Sequence, residues 1–523
     1  MKTGGAQSGA GAPAKTIPFT GDQYLESIRD GREVWIYGER VKDVTQHPAF
    51  RNCARSIARL YDALHDPAQQ AVLTMETDTG SGGFTHPFYR APRSREDLVR
   101  ARDAIAHWQG YTYGFVGRSP DYKASFLATL GVNEAYYDPY HENAKRWYRT
   151  AQERVLFLNH AIVHPPVDRT RPADENADVC VHVEKETDAG IVVSGAKVVA
   201  TGSALTHYNF VAHYGLPIQK KEYGVVFMVP MDAPGLKLIC RQSYEMIASY
   251  LGSPFDYPLS SRFDENDSIM VFDKVLVPWE NLFVYDAARA NNFFIGSGFL
   301  QRAMFHGCVR LAVKLDFLSG LILKAAEMVG YTEQRNVQVH IGEILIWRSL
   351  IWSVAGGMIQ DAVPWVGDTL LPNPAYMDVY RMISVNAYAR IKELFEQTLG
   401  SSLIYLNSNV QDLKSPELRP FIDRYIRGSG GRQAVDRIKL MKLIWDALGS
   451  EFGGRHELYE RNYAGNWEDV RLQRLMAATG MGEVDRLKGF VDRCLSEYGM
   501  DGWTLPGMIN PDDVNVISKG IGK

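Results

Sequence analysis

Two adjacent prolines constrain this chain more than any other feature. In Phe157-Leu-Asn-His-Ala-Ile-Val-His-Pro-Pro-Val-Asp-Arg169, a run that reads as the end of a helix closes at Asn159-His160 and gives way to a short apolar link and Pro165-Pro166. Each proline lacks an N–H, and Pro166 biases its predecessor toward extended geometry, so no helix passes this point. A helical domain is therefore expected to end here. The sequence beyond it reads as β-structure, which sets His160 at a seam between two domain types, where pockets for large cofactors form. The competing reading is a core histidine bonded to a carbonyl.

The flanks support the seam. From Ser94 to Lys145 the apolar spacing is mostly helical, interrupted at Gly117-Arg-Ser-Pro-Asp-Tyr122, where Ser119 before Pro120 is a helix-start signal. Upstream, Val34-Trp-Ile-Tyr and Gly38-Glu-Arg-Val-Lys read as a hairpin. After the prolines, alternation through Val179, Val181 and Val183 leads into short apolar runs near 191–200, 208–212, 225–229, 236–240 and 268–276, a compact barrel or sandwich. Beyond Ala290 the period of three and four returns, through Met304, Cys308, Leu311, Leu315 and Ile322 and four later stretches. The fold class expected is α+β, mainly α: a flexible tail over 1–18, a helical domain over 19–157, a β-domain over 158–288 and a helical bundle over 289–523.

Whole classes of function drop out. A formal charge of -4 and a pI near 6.4 leave no basic footprint for nucleic acid. No stretch is long and apolar enough to span a bilayer, and the amino end lacks the apolar core of a signal peptide, so a cytoplasmic protein is expected. Five scattered cysteines form no CxxC pair, which argues against a disulfide framework. GxGxxG after a strand, HExxH, GxSxG and metal-ligand spacings are all missing, so no metal is expected. Gly190-Ile-Val-Val-Ser-Gly-Ala-Lys197 misses a P-loop at its last two positions and reads as a hairpin strand.

Three local features look like ligand machinery. Arg118, Tyr122 and His160 supply a fixed cation, a phenol and a titratable ring near element ends. Thr201 through His207 places hydroxyls where the β-domain turns. Gly449 to His456 interrupts the bundle with glycines, so that backbone amides can approach a pyrophosphate. The bland alternatives are a turn for the hydroxyls and a helix cap for the glycines.

Arg118-Ser-Pro-Asp-Tyr122, Asn159 to Arg169, Glu184 to Thr201, Pro258-Leu-Ser-Ser-Arg-Phe-Asp-Glu-Asn-Asp267 and Ser450-Glu-Phe-Gly-Gly-Arg-His-Glu-Leu-Tyr-Glu460 together resemble the oxygenase component of two-component 4-hydroxyphenylacetate 3-monooxygenases, from about Thr20 to the carboxyl end. The resemblance implies an acyl-CoA-dehydrogenase-like fold, reduced FAD delivered by a separate NAD(P)H-dependent reductase, and a homodimer or homotetramer. It implies that Arg118, Ser119, Tyr122 and His160, with Gly215 and Leu216 of a lid around 213–223, hold a phenol. It also implies that Pro166, Val167, Asp168, Arg169, Thr201, Ser450, Glu451, Phe452 and Gly453 contact FAD. Where this chain has His164, relatives commonly have Asn. The reaction implied is hydroxylation ortho to the hydroxyl of a para-substituted phenol, best 4-hydroxyphenylacetate. Related phenol, nitrophenol or tyrosine-derivative hydroxylation is the alternative, with a flavin dehydrogenase or dehydratase and a non-catalytic binding protein further off. Cysteines for an iron–sulfur cluster are not grouped here, which disfavours the dehydratase.

Overall fold

A computed structural model describes residues 15–168, 170–176, 178–215, 217–500 and 502–508. The expected cofactor contact Arg169, the expected lid residue Leu216 and residues 1–14 of the expected tail lie outside the described residues. The chain forms two compact units, one ending at Ala464 and one beginning at Gly465. In the second, helices Trp467–Gly480 and Glu483–Leu495 precede a two-stranded ribbon, Tyr498–Gly499 with Gly502–Trp503.

In the larger unit, helices, strands and helices follow one another as the hydrophobic period predicts. Helix Arg95–Thr112 opens with a capping box between Ser94 and Asp97 and stops at Tyr113, which takes a left-handed φ of 55°. Helix His141–Arg154 ends the same way at Val155, φ 52°. After Tyr285 come the long helices Phe299–Val329, Arg335–Gln360, Pro374–Leu399 and Ala434–Leu448.

The strands form two main sheets. One, in spatial order, holds Glu39–Val41, Glu33–Ile36, Leu236–Cys240, Ser268–Pro278, Gly190–Lys197 and His182–Thr187; the other holds Leu282–Tyr285, Val225–Pro230, Tyr208–Tyr214 and Leu158–Val163. The amino-terminal hairpin is present, and its strand Glu33–Ile36 runs parallel to Leu236–Cys240, so it belongs to the larger sheet rather than to the helices around it.

One expectation is corrected. The segment before Pro165 is not the end of a helix: Leu158–Val163 is a strand paired in parallel with Tyr208–Tyr214, with His160 opposite Phe210. Leu158 to Ala161 are all buried, so both faces of the strand are covered and the run shows no alternation. A short apolar run of this kind cannot be told from a buried helix by periodicity. The helix ends earlier, at Val155, and the prolines terminate a strand.

Candidate active site

The site is assembled by the turn after Gly117, the strand Leu158–Val163 and helix Glu451–Asn462. Gly117 is required by packing, because a Cβ there would lie 2.5 Å from the Tyr459 hydroxyl. That close approach lets Arg118 Nη1 donate to Tyr459 Oη at 3.0 Å. The guanidinium carbon then sits 4.4 Å from the Tyr122 ring centre and 5.3 Å from those of Tyr459 and Tyr463. The Arg118 amide donates to Glu265 Oε1. Burial works against the charge on Arg118, yet the three phenols and Glu265 hold its pKa above the ordinary value, so it is a permanent cation in a box of aromatic faces.

His160 comes in from the strand, its ring centre 5.9 Å from that of Tyr122. Burial, then the cations Lys123 and Arg118, push its pKa well below the usual imidazole range. It is therefore neutral, and its Nδ1 has no hydrogen-bond partner among the described residues. The structure thus brings together Arg118, Tyr122 and His160. Ser119 is adjacent but occupied: its hydroxyl donates to Asp121 Oδ1 at 2.5 Å and accepts from Gln109 Nε2 at 2.9 Å.

Behind the aromatic box lies a buried ion cluster. Arg310 makes a two-pronged pair with Glu460 at 2.7 and 2.6 Å, and Lys314 Nζ donates to the same carboxylate at 2.9 Å. Burial opposes the charge of Glu460, but Arg310 and Lys314 bring its pKa down to about 2. Glu460 follows Tyr459 directly, and Arg310 lies 5.0 Å from the Tyr459 ring, so the cluster fixes the helix that supplies the box.

The expected cofactor contacts are spread over three elements. Pro166, Val167 and Asp168 are exposed just beyond the strand, with Asp168 accepting from the Thr170 amide at 2.9 Å. Thr201 is buried and donates to Asp267 Oδ1 at 2.6 Å, while its carbonyl accepts from Asn159 Nδ2 at 2.7 Å. Burial works against charge on Asp267, but Arg455 and Arg241 hold it well below the carboxylate range. Gly202, φ 69°, turns the chain here, and a Cβ on it would meet Asn159 Nδ2 at 3.0 Å.

The bundle is interrupted at Gly449, which ends helix Ala434–Leu448, but Gly453 and Gly454 are not part of the break. They lie in the first turns of helix Glu451–Asn462, whose cap is Ser450, and the Gly453 amide already donates to Ser450 Oγ at 3.1 Å. Glu451 is exposed and accepts from Gln242 at 2.7 Å, whereas the Phe452 side chain is in the core against Phe115 and His456. Around Thr201, the side-chain oxygens of Asn159 and Asn266 are buried without donors among the described residues. A planar ring with N–H groups on its edge fits that need, as the isoalloxazine of a flavin does.

Gly215, expected in a lid, follows strand Tyr208–Tyr214, whose end lies beside that of Leu158–Val163 because the two run parallel. His164 emerges at that end, with Lys197 Nζ 3.1 Å from its Nε2 and the His213 ring centre at 5.4 Å. Burial, with Lys197 and His213 nearby, takes the His164 pKa to about 2. Sequence reasoning missed Lys123, Tyr459, Tyr463, Arg310 and Glu460. Spacings of four in Arg310/Lys314 and Tyr459/Tyr463 were the available signal, since each pair shares a helix face. Among the described residues no group of His, Cys, Asp and Glu forms a metal site.

Residues 20–284 match the family described as 4-hydroxyphenylacetate 3-hydroxylase N terminal, and residues 290–492 its C-terminal counterpart. The chain is 61% identical over 507 residues to a Rhodococcus 4-nitrophenol 2-monooxygenase oxygenase component, covering 97% of this chain and 98% of that one. It is 52% identical over 507 residues to the Pseudomonas aeruginosa 4-hydroxyphenylacetate 3-monooxygenase oxygenase component, covering 96% and 98%. A crystal structure of a 4-hydroxyphenylacetate 3-monooxygenase oxygenase component with FAD and 4-hydroxyphenylacetate superposes with a TM-score of 0.85 at 32% identity, covering 91% of this chain and 99% of the other.

Proposed function

The chain belongs to the 4-hydroxyphenylacetate 3-hydroxylase family, with an acyl-CoA-dehydrogenase-like fold, and from that premise we propose that it is the oxygenase component of a two-component monooxygenase acting on a para-substituted phenol. The observation that carries the reading is the meeting of a permanent cation, Arg118, with a neutral imidazole, His160, across the Tyr122 ring.

Pro166 to Arg169, Thr201 and the Ser450–Gly453 turn would hold reduced FAD, Phe452 through its backbone. When bound, reduced FAD with O2 supplies an electrophilic oxygen atom for the ring carbon ortho to the hydroxyl. This chain's residues prepare the ring to receive it. A phenol with a pKa of about 10 must lose its proton to become electron-rich, and bringing that value to about 7 takes roughly 4 kcal/mol. Arg118 stabilises the developing oxyanion, and His160 accepts the proton or a hydrogen bond. Tyr122, Tyr459 and Tyr463 wall the oxyanion from water, which keeps the local dielectric low and the interaction strong.

In this reading 19–157 supplies Arg118 and Tyr122, 158–288 supplies His160 and most of the bed for the cofactor, and the helices of 289–464 supply Tyr459 and Tyr463 and the Ser450 turn. The best-fitting conversion is 4-hydroxyphenylacetate to 3,4-dihydroxyphenylacetate. The Rhodococcus relative favours 4-nitrophenol as the second reading. A separate NAD(P)H-dependent flavin reductase, a homodimer or homotetramer and a cytoplasmic location complete the proposal; no helix among the described residues is long and apolar enough to cross a membrane. Supplying the chain with reduced FAD, O2 and a panel of phenols tests it. Catechol products from 4-hydroxyphenylacetate or 4-nitrophenol are expected, and no oxygenated product from any phenol refutes it.

A further inference from the structure

A cavity that shares no residue with the box around Arg118 opens beside helix Arg51–Ala63. It has a volume of about 450 Å³ and is lined by Asn52 and Arg55 of that helix and by Pro254, Pro258, Ser261 and Arg262. Pockets of this size take small organic molecules, and the space exceeds what a bare inorganic anion fills. Two arginines and no carboxylate line it.

The cations in it are uncompensated. Arg262 is anchored, because its Nε donates to the Pro258 carbonyl at 2.9 Å and its guanidinium carbon lies 4.7 Å from the Phe263 ring centre. Its Nη1 and Nη2 have no acceptor among the described residues, and the exposed Arg55 side chain makes no ion pair or hydrogen bond among them either. The carboxylates nearby are engaged elsewhere. Glu245 accepts from the amides of Asn52 and Cys53 at 2.8 and 3.0 Å, Asp446 accepts from those of Leu259 and Ser260 at 2.7 and 3.0 Å, and Asp256 pairs with Lys442 at 3.0 Å. Since Glu245 takes the first amides of the helix, the cavity is built from side chains and not from the helix end. Asn52 Nδ2 donates to the Ser261 carbonyl at 3.0 Å and ties its two walls together.

We propose that this cavity binds the diphosphate group of a small organic molecule, with Arg262 and Arg55 on the phosphate oxygens and Pro254 and Pro258 against the organic part. A guanidinium presents a planar fork of donors that matches phosphate oxygens two at a time, and two such charges balance a dianion. The Ser261 hydroxyl adds a donor, while the prolines add apolar surface without an N–H. Next in the chain, the Ser260 hydroxyl donates to Asp446 at 2.8 Å, and the Ser450 hydroxyl donates to the Asp446 carbonyl at 2.8 Å. One wall of the cavity is thereby tied to the turn proposed for FAD. The diphosphate has two possible sources, the cofactor itself and a separate phosphorylated molecule, and neither requires the phenol-hydroxylating reading to hold.

The test is a calorimetric titration of the full, flavin-free chain with inorganic pyrophosphate at low salt. Saturable binding to the wild type is expected, weakened at least about tenfold in Arg262→Gln and in Arg55→Gln, the loss of one charged hydrogen-bonding partner each. Arg59→Gln is the control: Arg59 lies on the same helix, 5.8 Å from the Tyr111 ring centre and outside the cavity, and should leave Kd within about twofold. Repeating the titration with FAD bound separates the sources. Displacement of pyrophosphate, with weaker FAD retention in Arg55→Gln, assigns the cavity to the diphosphate of the cofactor; unchanged binding assigns it to a separate molecule. Thermal unfolding is recorded for every variant, and Arg55, exposed in mid-helix, carries the test should Arg262→Gln not fold. Absence of saturable binding to the wild type, an unmoved Kd in Arg55→Gln, or an equal loss in Arg59→Gln overturns the inference. Catechol formation by the same preparations, measured separately, decides the phenol reading on its own.

Discussion

Replacing Arg118 with Met removes the cation but leaves the Arg118 amide on Glu265 and the aromatic box in place. With the guanidinium carbon 4.4 Å from the Tyr122 ring, a substrate oxygen in the same box sits about 4 Å from the charge, where at an effective dielectric of about 20 the attraction is about 4 kcal/mol. That matches the roughly 4 kcal/mol needed to bring a phenol pKa from about 10 to about 7. For an ordinary phenol such as 4-methylphenol the loss in kcat/KM is therefore expected to approach about a thousandfold at neutral pH. 4-Nitrophenol is already acidified by its own substituent, so it should lose only the charged hydrogen bond, about tenfold. The assay is catechol formation with reduced FAD and O2 for both substrates, with hydrogen peroxide measured alongside. Equal losses for the two phenols would refute the reasoning, because Arg118 would then be acting in binding or folding rather than on the ionisation of the substrate.

Glu460→Gln leaves Arg310 and Lys314 buried without their shared carboxylate and is expected to cost 3–5 kcal/mol, read by chemical denaturation. In the wild type the Glu460 pKa is depressed from 4.5 to about 2, so its stabilisation is complete above about pH 4.5 and is lost as pH falls toward 2; the variant should lack that part of the acid transition. Tyr459→Phe keeps the ring but removes the acceptor of Arg118 Nη1, and a drop of about tenfold in kcat/KM with little change in unfolding is the expected result. Gly202→Ala forces a side chain into φ 69° and against Asn159, which should cost about 1–2 kcal/mol and weaken FAD retention, measured by dialysis of the loaded protein.

The alternation of helical and extended periods was readable because each segment has one buried face or a short apolar run bounded by turn residues. The segment around His160 defeated that reasoning, since Leu158 to Ala161 are buried on both sides and carry no period. Arg118, Tyr122 and His160 were legible as residue types at element ends, and the structure brings them within reach of one another. Lys123 was not, because a lysine in sequence is exposed until its surroundings are known; its burial depends on Phe210 and Phe299, far along the chain. Tyr459 is 341 residues from Arg118, and nothing local to either predicts their contact. The Ser450 turn was read either as backbone open to a pyrophosphate or as a helix cap with a turn, and its hydroxyl does cap helix Glu451–Asn462.

The distribution of charge explains why the turn after Gly117 is so confined. Two cations within six residues, both buried, repel each other across the Tyr122 ring, and Glu265 engages Arg118 chiefly through its backbone amide. Stability alone would favour a carboxylate beside Lys123, as at Glu460, or an apolar residue in its place. A carboxylate would neutralise the field that acidifies a phenol and would compete with the substrate oxygen for Arg118. The arrangement found keeps the positive potential, with the aromatic faces of Tyr122, Phe299 and Tyr459 supplying the weak compensation that cations gain from π-systems. Under the proposed function an anionic oxygen entering the box would be the partner these cations lack, so the same residues would favour a phenol over a neutral aromatic ring.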